Sequence, residues 1–176
     1  MHVGHINLAA STDGSGEYFV PLIEALHRTG LRQYVLVRET CLATRIAAID
    51  GVEVGPIVHS PVTACCLMPR VDIMHAHDPA AGRTGLLLTL TRSIPYVLTH
   101  RATTRLSRNR LRQAVYRRAA AVLCQDECEV AMNRHGLPGL SVEINPDIDG
   151  NGLAGAYLRL YHKSQRIPIA GSKGIQ

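Results

Sequence analysis

The stretch that most limits what this chain can fold into is residues 71–85, VDIMHAHDPAAGRTG. Val71, Ile73 and Met74 bring apolar bulk to a short strand, Asp78-Pro79 ends it, and residues 80–91 (AAGRTGLLLTLT) read as the helix that follows. In a parallel sheet such a strand-to-helix turn lies at the carboxyl edge, where open α/β sheets place their ligands. His75 and His77 are two apart, so on a continuing strand they share a face, with Asp78 beside them in the loop. Imidazole and carboxylate therefore stand together at the edge built for binding.

On both sides of this stretch, apolar strands alternate with longer helical patterns, the signature of βα repetition rather than of a β-sandwich. Residues 2–9 read as the first strand and residues 11–17 (STDGSGE) as a turn. Residues 17–29 carry Phe19, Val20, Leu22, Ile23 and Leu26 at helical spacing and stop at Gly30. A strand, a glycine loop and a helix can aim backbone amides at an anion; Gly14 to Gly16 is equally a tight turn, being neither a Walker sequence nor a full dinucleotide fingerprint. Further strands are expected at 34–37, 52–54, 96–99, 121–123 and 142–144. Helices are expected at 42–49, about 105–119, 127–133 and 152–164, with a short helix or loop at 62–68. Leu153, Tyr157, Leu160 and Tyr161 form an apolar stripe on the last helix, and the tail from residue 167 is too poor in apolar residues to fold independently. The expected fold is a Rossmann-like parallel sheet flanked by helices.

With 176 residues and 46% hydrophobic content, the chain can bury one α/β core and is too short for two. Nineteen Lys and Arg against fourteen Asp and Glu give a formal charge of +5; the excess of Arg suits phosphate or carboxylate partners, and coding bias would produce the same count. Five cysteines without framework spacing argue for reduced thiols and a cytoplasmic setting. Cys124 and Cys128 lie where a thiol could be acidified by a helix start or simply packed away. No cationic leader with a long apolar core opens the chain, and no run of eighteen apolar residues occurs, which argues against secretion or a membrane span.

Four pieces, DIMHAHDPAAGRTG, IPYVLTHR (94–101), AVLCQDECEVAMNRHGLP (121–138) and INPDID (144–149), together resemble the amino-terminal half of family 4 glycosyltransferases of the GT-B fold. The resemblance covers residues 1–149 and implies an acceptor lobe whose cleft runs along the carboxyl rim of the sheet. It implies that His77 is the active-cleft histidine, and that Asp78, Thr99, His100 and Arg101 are substrate-binding. It also puts Gly14, Ser15 and Gly16 at the family's glycine loop, with serine replacing one glycine. The hinge into a second lobe corresponds to Pro146 to Asp149, shortened and without its glycine. The family's donor-binding lobe has no counterpart after it; residues 150–166 instead resemble the family's final helix, which crosses back onto the first lobe, leaving 167–176 as a tail.

The function implied is a glycosyltransferase-like protein of cell-surface glycan or lipopolysaccharide assembly, binding a sugar acceptor or a partner transferase. The competing expectation is a non-catalytic relic lobe serving as a scaffold or regulator. Retaining transfer needs the leaving phosphate stabilised by preorganised cations and amides, which the family draws largely from the missing lobe. No cofactor is therefore expected, and a nucleotide-sugar only where a second lobe or chain, or a homodimer, supplies the donor site. The run RATTRLSRNRLRQAVYRR sets Arg105, Arg108 and Arg112 on a helix with Leu106, Leu111, Ala114 and Val115 opposite, for an anionic membrane surface or an acidic glycolipid; a solvated helix face fits equally. Nucleic acid is not expected, since one Phe and no Trp leave little for bases to stack on. His75, His77 and Asp78 have the residue types for a zinc or nickel ion, but the sequence places no third strong ligand and no metal is expected.

Overall fold

The computed structural model describes residues 1–9, 15–100, 109–124 and 150–165; the side chains of residues 15–17, 124 and 150–153 fall outside that description. In chain order the elements are β1 (His2–Asn7), α1 (Ser15–His27), β2 (Arg32–Val37), α2 (Thr40–Ala47), β3 (Glu53–Val54) and α3 (Pro61–Leu67). They continue with β4 (Ile73–Ala76), α4 (Pro79–Arg92), β5 (Tyr96–His100), α5 (Arg110–Arg118), β6 (Ala121–Cys124) and α6 (Gly150–Gln165). The strands form one sheet in the order β3-β2-β1-β4-β5-β6, every pair parallel. The chain winds outward from β1 to β3, returns to lay β4 beside β1, and winds the other way to β6. The direction of winding thus reverses between β1 and β4, and the carboxyl ends of those two strands border the switch point at which such sheets bind ligands.

Both faces of the sheet are covered. On one, Val3, Ile73, Val97, Ala121 and Leu123 pack under Leu22 and Leu26 of α1 and under Ala154, Tyr157, Leu160 and Tyr161 of α6. On the same face, Val35 and Val37 of β2 meet Phe19, Val20 and Ile23 of α1 and Leu42 and Ile46 of α2. On the other, Ile6, Met74, Ala76, Tyr96, Leu98 and Val122 pack against Ala64, Ala81, Leu88 and Val115 of α3, α4 and α5. Strands buried on both faces read as near-continuous apolar runs, which is why β4 and β5 lack a clean polar alternation.

The α4 helix lies close to both the sheet and α5 because two of its buried positions are glycine. A Cβ at Gly85 would stand 2.5 Å from Cδ2 of Tyr96, and one at Gly82 would stand 2.7 Å from Cγ1 of Val115. Gly30, with φ +78, takes the left-handed conformation that stops α1, as its sequence position suggested.

Two boundaries differ from the sequence expectation and one open alternative is decided, each for an identifiable reason. Ser15 and Gly16 belong to the first turn of α1 rather than to a loop before it. The 62–68 segment, left open as helix or loop, is the helix α3, because Ser60 accepts the Thr63 N–H and Pro61 presets the first helical position. The basic helix begins at Arg110, where the Asn109 side chain accepts the Leu111 N–H, and it turns Val115 and Tyr116 inward while Leu111 stays half exposed. Gly14, Arg101, Arg105, Leu106, Arg108, Cys128, the expected elements at 127–133 and 142–144, the hinge at 146–149 and the tail lie outside the described residues.

Candidate functional site

Side chains on the α1/α6 face of the sheet change character along the strands. Val3, Ile73 and Val97 form a dry first tier. One step further toward the carboxyl edge stand His5 and Asn7 from β1, His75 from β4, His77 just after it, and Thr99 from β5, all buried. Parallel pairing sets His5 directly beside His75. His77, two residues further, returns to the same face. The three imidazoles form a compact group, with ring centroids 3.8 Å apart for His75 and His77, 5.4 Å for His5 and His77, and 5.8 Å for His5 and His75.

Their nitrogens are arranged pairwise. His5 Nδ1 and His77 Nε2 lie 3.1 Å apart in a hydrogen bond within the pair. His75 Nδ1 is 2.7 Å from the Tyr161 hydroxyl, and His75 Nε2 is 2.8 Å from the Thr99 hydroxyl. Tyr157 faces the His75 ring and also hydrogen-bonds through its hydroxyl to Tyr18 of α1, so the two helices are tied together above the cluster. Phe19 meets the His77 ring edge to face at 4.4 Å.

Burial sets the charge state of this group. It holds the His5 pKa down at about 3, against a small opposing pull from Gln33, and it holds His75 well below the usual histidine value, with His5 adding to the effect. It raises Tyr157 and Tyr161 well above the usual phenol value, with Tyr18 adding to it. His5 and His75 are consequently neutral and the phenols protonated at physiological pH. Such groups can donate and accept hydrogen bonds, pass a proton, or offer lone pairs to a cation.

The residues singled out from sequence separate into two sets, because neighbours in an extended chain point to opposite faces. His77 and Thr99 converge on the cluster, together with His75. Asp78 and His100 do not. The Asp78 carboxylate accepts the N–H groups of Leu8, Ala80 and Ala81 at 2.6, 2.7 and 2.9 Å, so it caps α4 and ties that helix to the end of β1. Its desolvation pushes the carboxyl upward against the pull of these same N–H groups. His100 bonds the Tyr116 hydroxyl of α5 at 2.7 Å, and burial lowers its pKa to about 4. Arg112 is half-buried on α5.

His77 is 2% exposed and His75 is fully buried; α6 and α1 roof them, so neither faces solvent in this conformation. His5, Tyr157 and Tyr161 were not among the residues expected at the site. The alternation in HVGHIN, with Val3, His5 and Asn7 sharing a face, was the signal that could have drawn attention to His5.

No protein-family model and no curated protein matches the chain. Among solved structures, it is similar to a sucrose-phosphate synthase from Thermosynechococcus elongatus, with a TM-score of 0.61 and 16% sequence identity over 93% of this chain and 98% of that one. The fold is shared with a glycosyltransferase. At this identity the likeness is one of architecture: an open six-stranded parallel sheet similar to a GT-B lobe, with helices on both faces. Among the described residues, no helix is long and apolar enough to cross a membrane.

Proposed function

We propose that this chain is the acceptor-type lobe of a GT-B, family 4-like glycosyltransferase system, acting in assembly of a cell-surface glycan or lipopolysaccharide. The observation that carries this reading is the polar tier of His5, Asn7, His75, His77 and Thr99 at the switch point, on a sheet face whose first tier holds Val3, Ile73 and Val97. A packed core has no use for so many polar groups, and a hydroxyl-rich ligand does: neutral imidazoles and hydroxyls are suited to reading sugar hydroxyls. The glycosyltransferase-like fold supports the same reading, as does the way α6 packs back over the sheet. On this reading residues 1–149 are the lobe and residues 150–166 its returning helix. A donor lobe comes from a second chain or a second copy, and the basic α5, through Arg112 and its neighbours, meets an anionic glycolipid or the inner face of a membrane.

One observation favours the second reading, a non-catalytic scaffold or regulatory lobe. His75 and His77 are roofed by Tyr157, Tyr161 and Phe19, so a ligand reaches them only if α6 or the start of α1 moves. Calorimetry and thermal shift with uridine, guanosine and thymidine diphosphate sugars, then with glycolipid acceptors, separate the two. Saturable binding of donor or acceptor, weakened at least tenfold by His77→Ala, supports the transferase lobe. Silence toward sugars together with saturable binding to a second protein supports the scaffold, and a sugar affinity unchanged in His77→Ala removes that residue from the site.

A further inference from the structure

Three imidazoles, from two strands that are remote in sequence and adjacent in space, each bring one nitrogen to within 4.8 Å of the other two. Two of these nitrogens, His5 Nδ1 and His77 Nε2, are 3.1 Å apart. A tetrahedral zinc-class ion with metal–nitrogen bonds of about 2.0–2.1 Å spaces its ligands about 3.3 Å apart, so this separation is already close to the bite of a shared ion. The third ring lies tilted against His77 and has its nitrogens on two hydroxyls, one of which it would exchange for the ion.

A second observation lies on the far side of His5. Its Nε2 is buried without a hydrogen bond, and so is Oε1 of the neighbouring Gln33, whose Nε2 donates to the Ile23 carbonyl at 3.0 Å and so fixes the amide with its oxygen on the other side. The two atoms are complementary in type, a ring nitrogen and an amide oxygen, and Gln33 is near enough to the His5 ring to act on it electrostatically. With an ion on Nδ1, the His5 proton resides on Nε2, and a metal-bound ring is the stronger donor; Gln33 Oε1 is then its acceptor. An ion on Nδ1 would thus give both atoms a partner. Among the described residues no carboxylate shares the site, because the Asp78 oxygens are committed to backbone N–H groups on the other side. A donor set of neutral nitrogens suits zinc, nickel, cobalt or copper and not the oxygen-seeking magnesium or calcium.

We propose that His5, His75 and His77 form a binding site for a late first-row transition-metal ion, with Gln33 as the residue that orients His5. The proposal does not rest on the sugar-transfer reading, and its test uses metal alone. Full-length protein stripped with chelator is dialysed against Zn²⁺ and Co²⁺, with Mg²⁺ in parallel. The site takes up one equivalent of Zn²⁺ or Co²⁺ per chain and no Mg²⁺. His5→Gln and His77→Gln abolish uptake, His59→Gln at an exposed histidine leaves it intact, and Gln33→Leu weakens it about 10–100-fold. Because the histidine variants can lose their fold, the decisive readout is X-ray absorption on the wild-type chain loaded with Co²⁺ or Zn²⁺. Three imidazoles in the first coordination sphere uphold the site. Sulfur ligands, fewer than three imidazoles, no stoichiometric uptake, or uptake unaffected by folded His5→Gln overturns it.

Discussion

Replacing Asp78 by alanine tests the claim that this carboxylate holds the site's frame rather than touching a ligand. The side chain accepts three backbone N–H groups, two from the first turn of α4 and one from Leu8, and is 7% exposed. Losing a helix N-cap costs about 1 kcal/mol, within a range of about 0.5–2. Leaving the buried Leu8 N–H without an acceptor adds about 1–3 kcal/mol. Because neighbouring losses do not simply add, we expect a net destabilisation of about 3 kcal/mol. For a chain of this size that corresponds to a fall in Tm of about 6–12 °C. Asp78→Asn keeps one acceptor oxygen for α4 but turns its amide toward the Leu8 N–H or toward the helix, so about half the loss should return. Urea unfolding followed by circular dichroism measures both, with the slope m unchanged if the denatured state is not altered. A loss under 1 kcal/mol in Asp78→Ala, or Asp78→Asn falling below it, would refute the tether. A fully stable variant that lost sugar binding would restore Asp78 to the ligand site.

Acid should unfold the protein early. His5 and His100 have folded-state pKa values lowered to about 3 and about 4, and His75 is lowered too, so the unfolded chain takes up protons that the folded one refuses. Their contribution to stability is complete above about pH 6.5 and is lost as pH falls toward 4, by about 1.4 kcal/mol per pH unit for each histidine; urea midpoints flat across that window would contradict it. Tyr161→Phe removes the hydroxyl on His75 Nδ1 and should cost about 1–3 kcal/mol by thermal denaturation, whereas an unchanged Tm would mean that this bond is dispensable. Gly85→Ala drives a methyl group to 2.5 Å from the Tyr96 ring and should destabilise by about 1–3 kcal/mol; a neutral result would show that α4 can shift away without loss.

Much of the architecture was legible along the chain, for reasons that are local. Strands buried on both faces announce themselves as short apolar runs, as in 73–76 and 96–99, and α1 shows its buried stripe and its terminating Gly30 in sequence. The helix start at Ser15 was less legible, since the STDGSGE run carries turn residues on both sides of the boundary. At the site, alternation alone says that His75 and His77 share a face and that Asp78 does not. The motif resemblance grouped Asp78 and His100 with His77, whereas the structure sets their side chains on the opposite face, toward α4 and α5.

What the sequence determined by itself is therefore periodic: the alternation of strand and helix, the end of a strand at Asp78-Pro79, and the common face of His75 and His77 at the close of β4. Only the tertiary structure decided that His5, seventy residues before His75, lies beside it, and that Tyr157 and Tyr161 close over both. The physical reason is that side-chain direction follows from local backbone geometry, whereas strand order depends on which distant apolar faces bury each other best. That competition is settled across the whole core and leaves no trace in any single stretch of the chain.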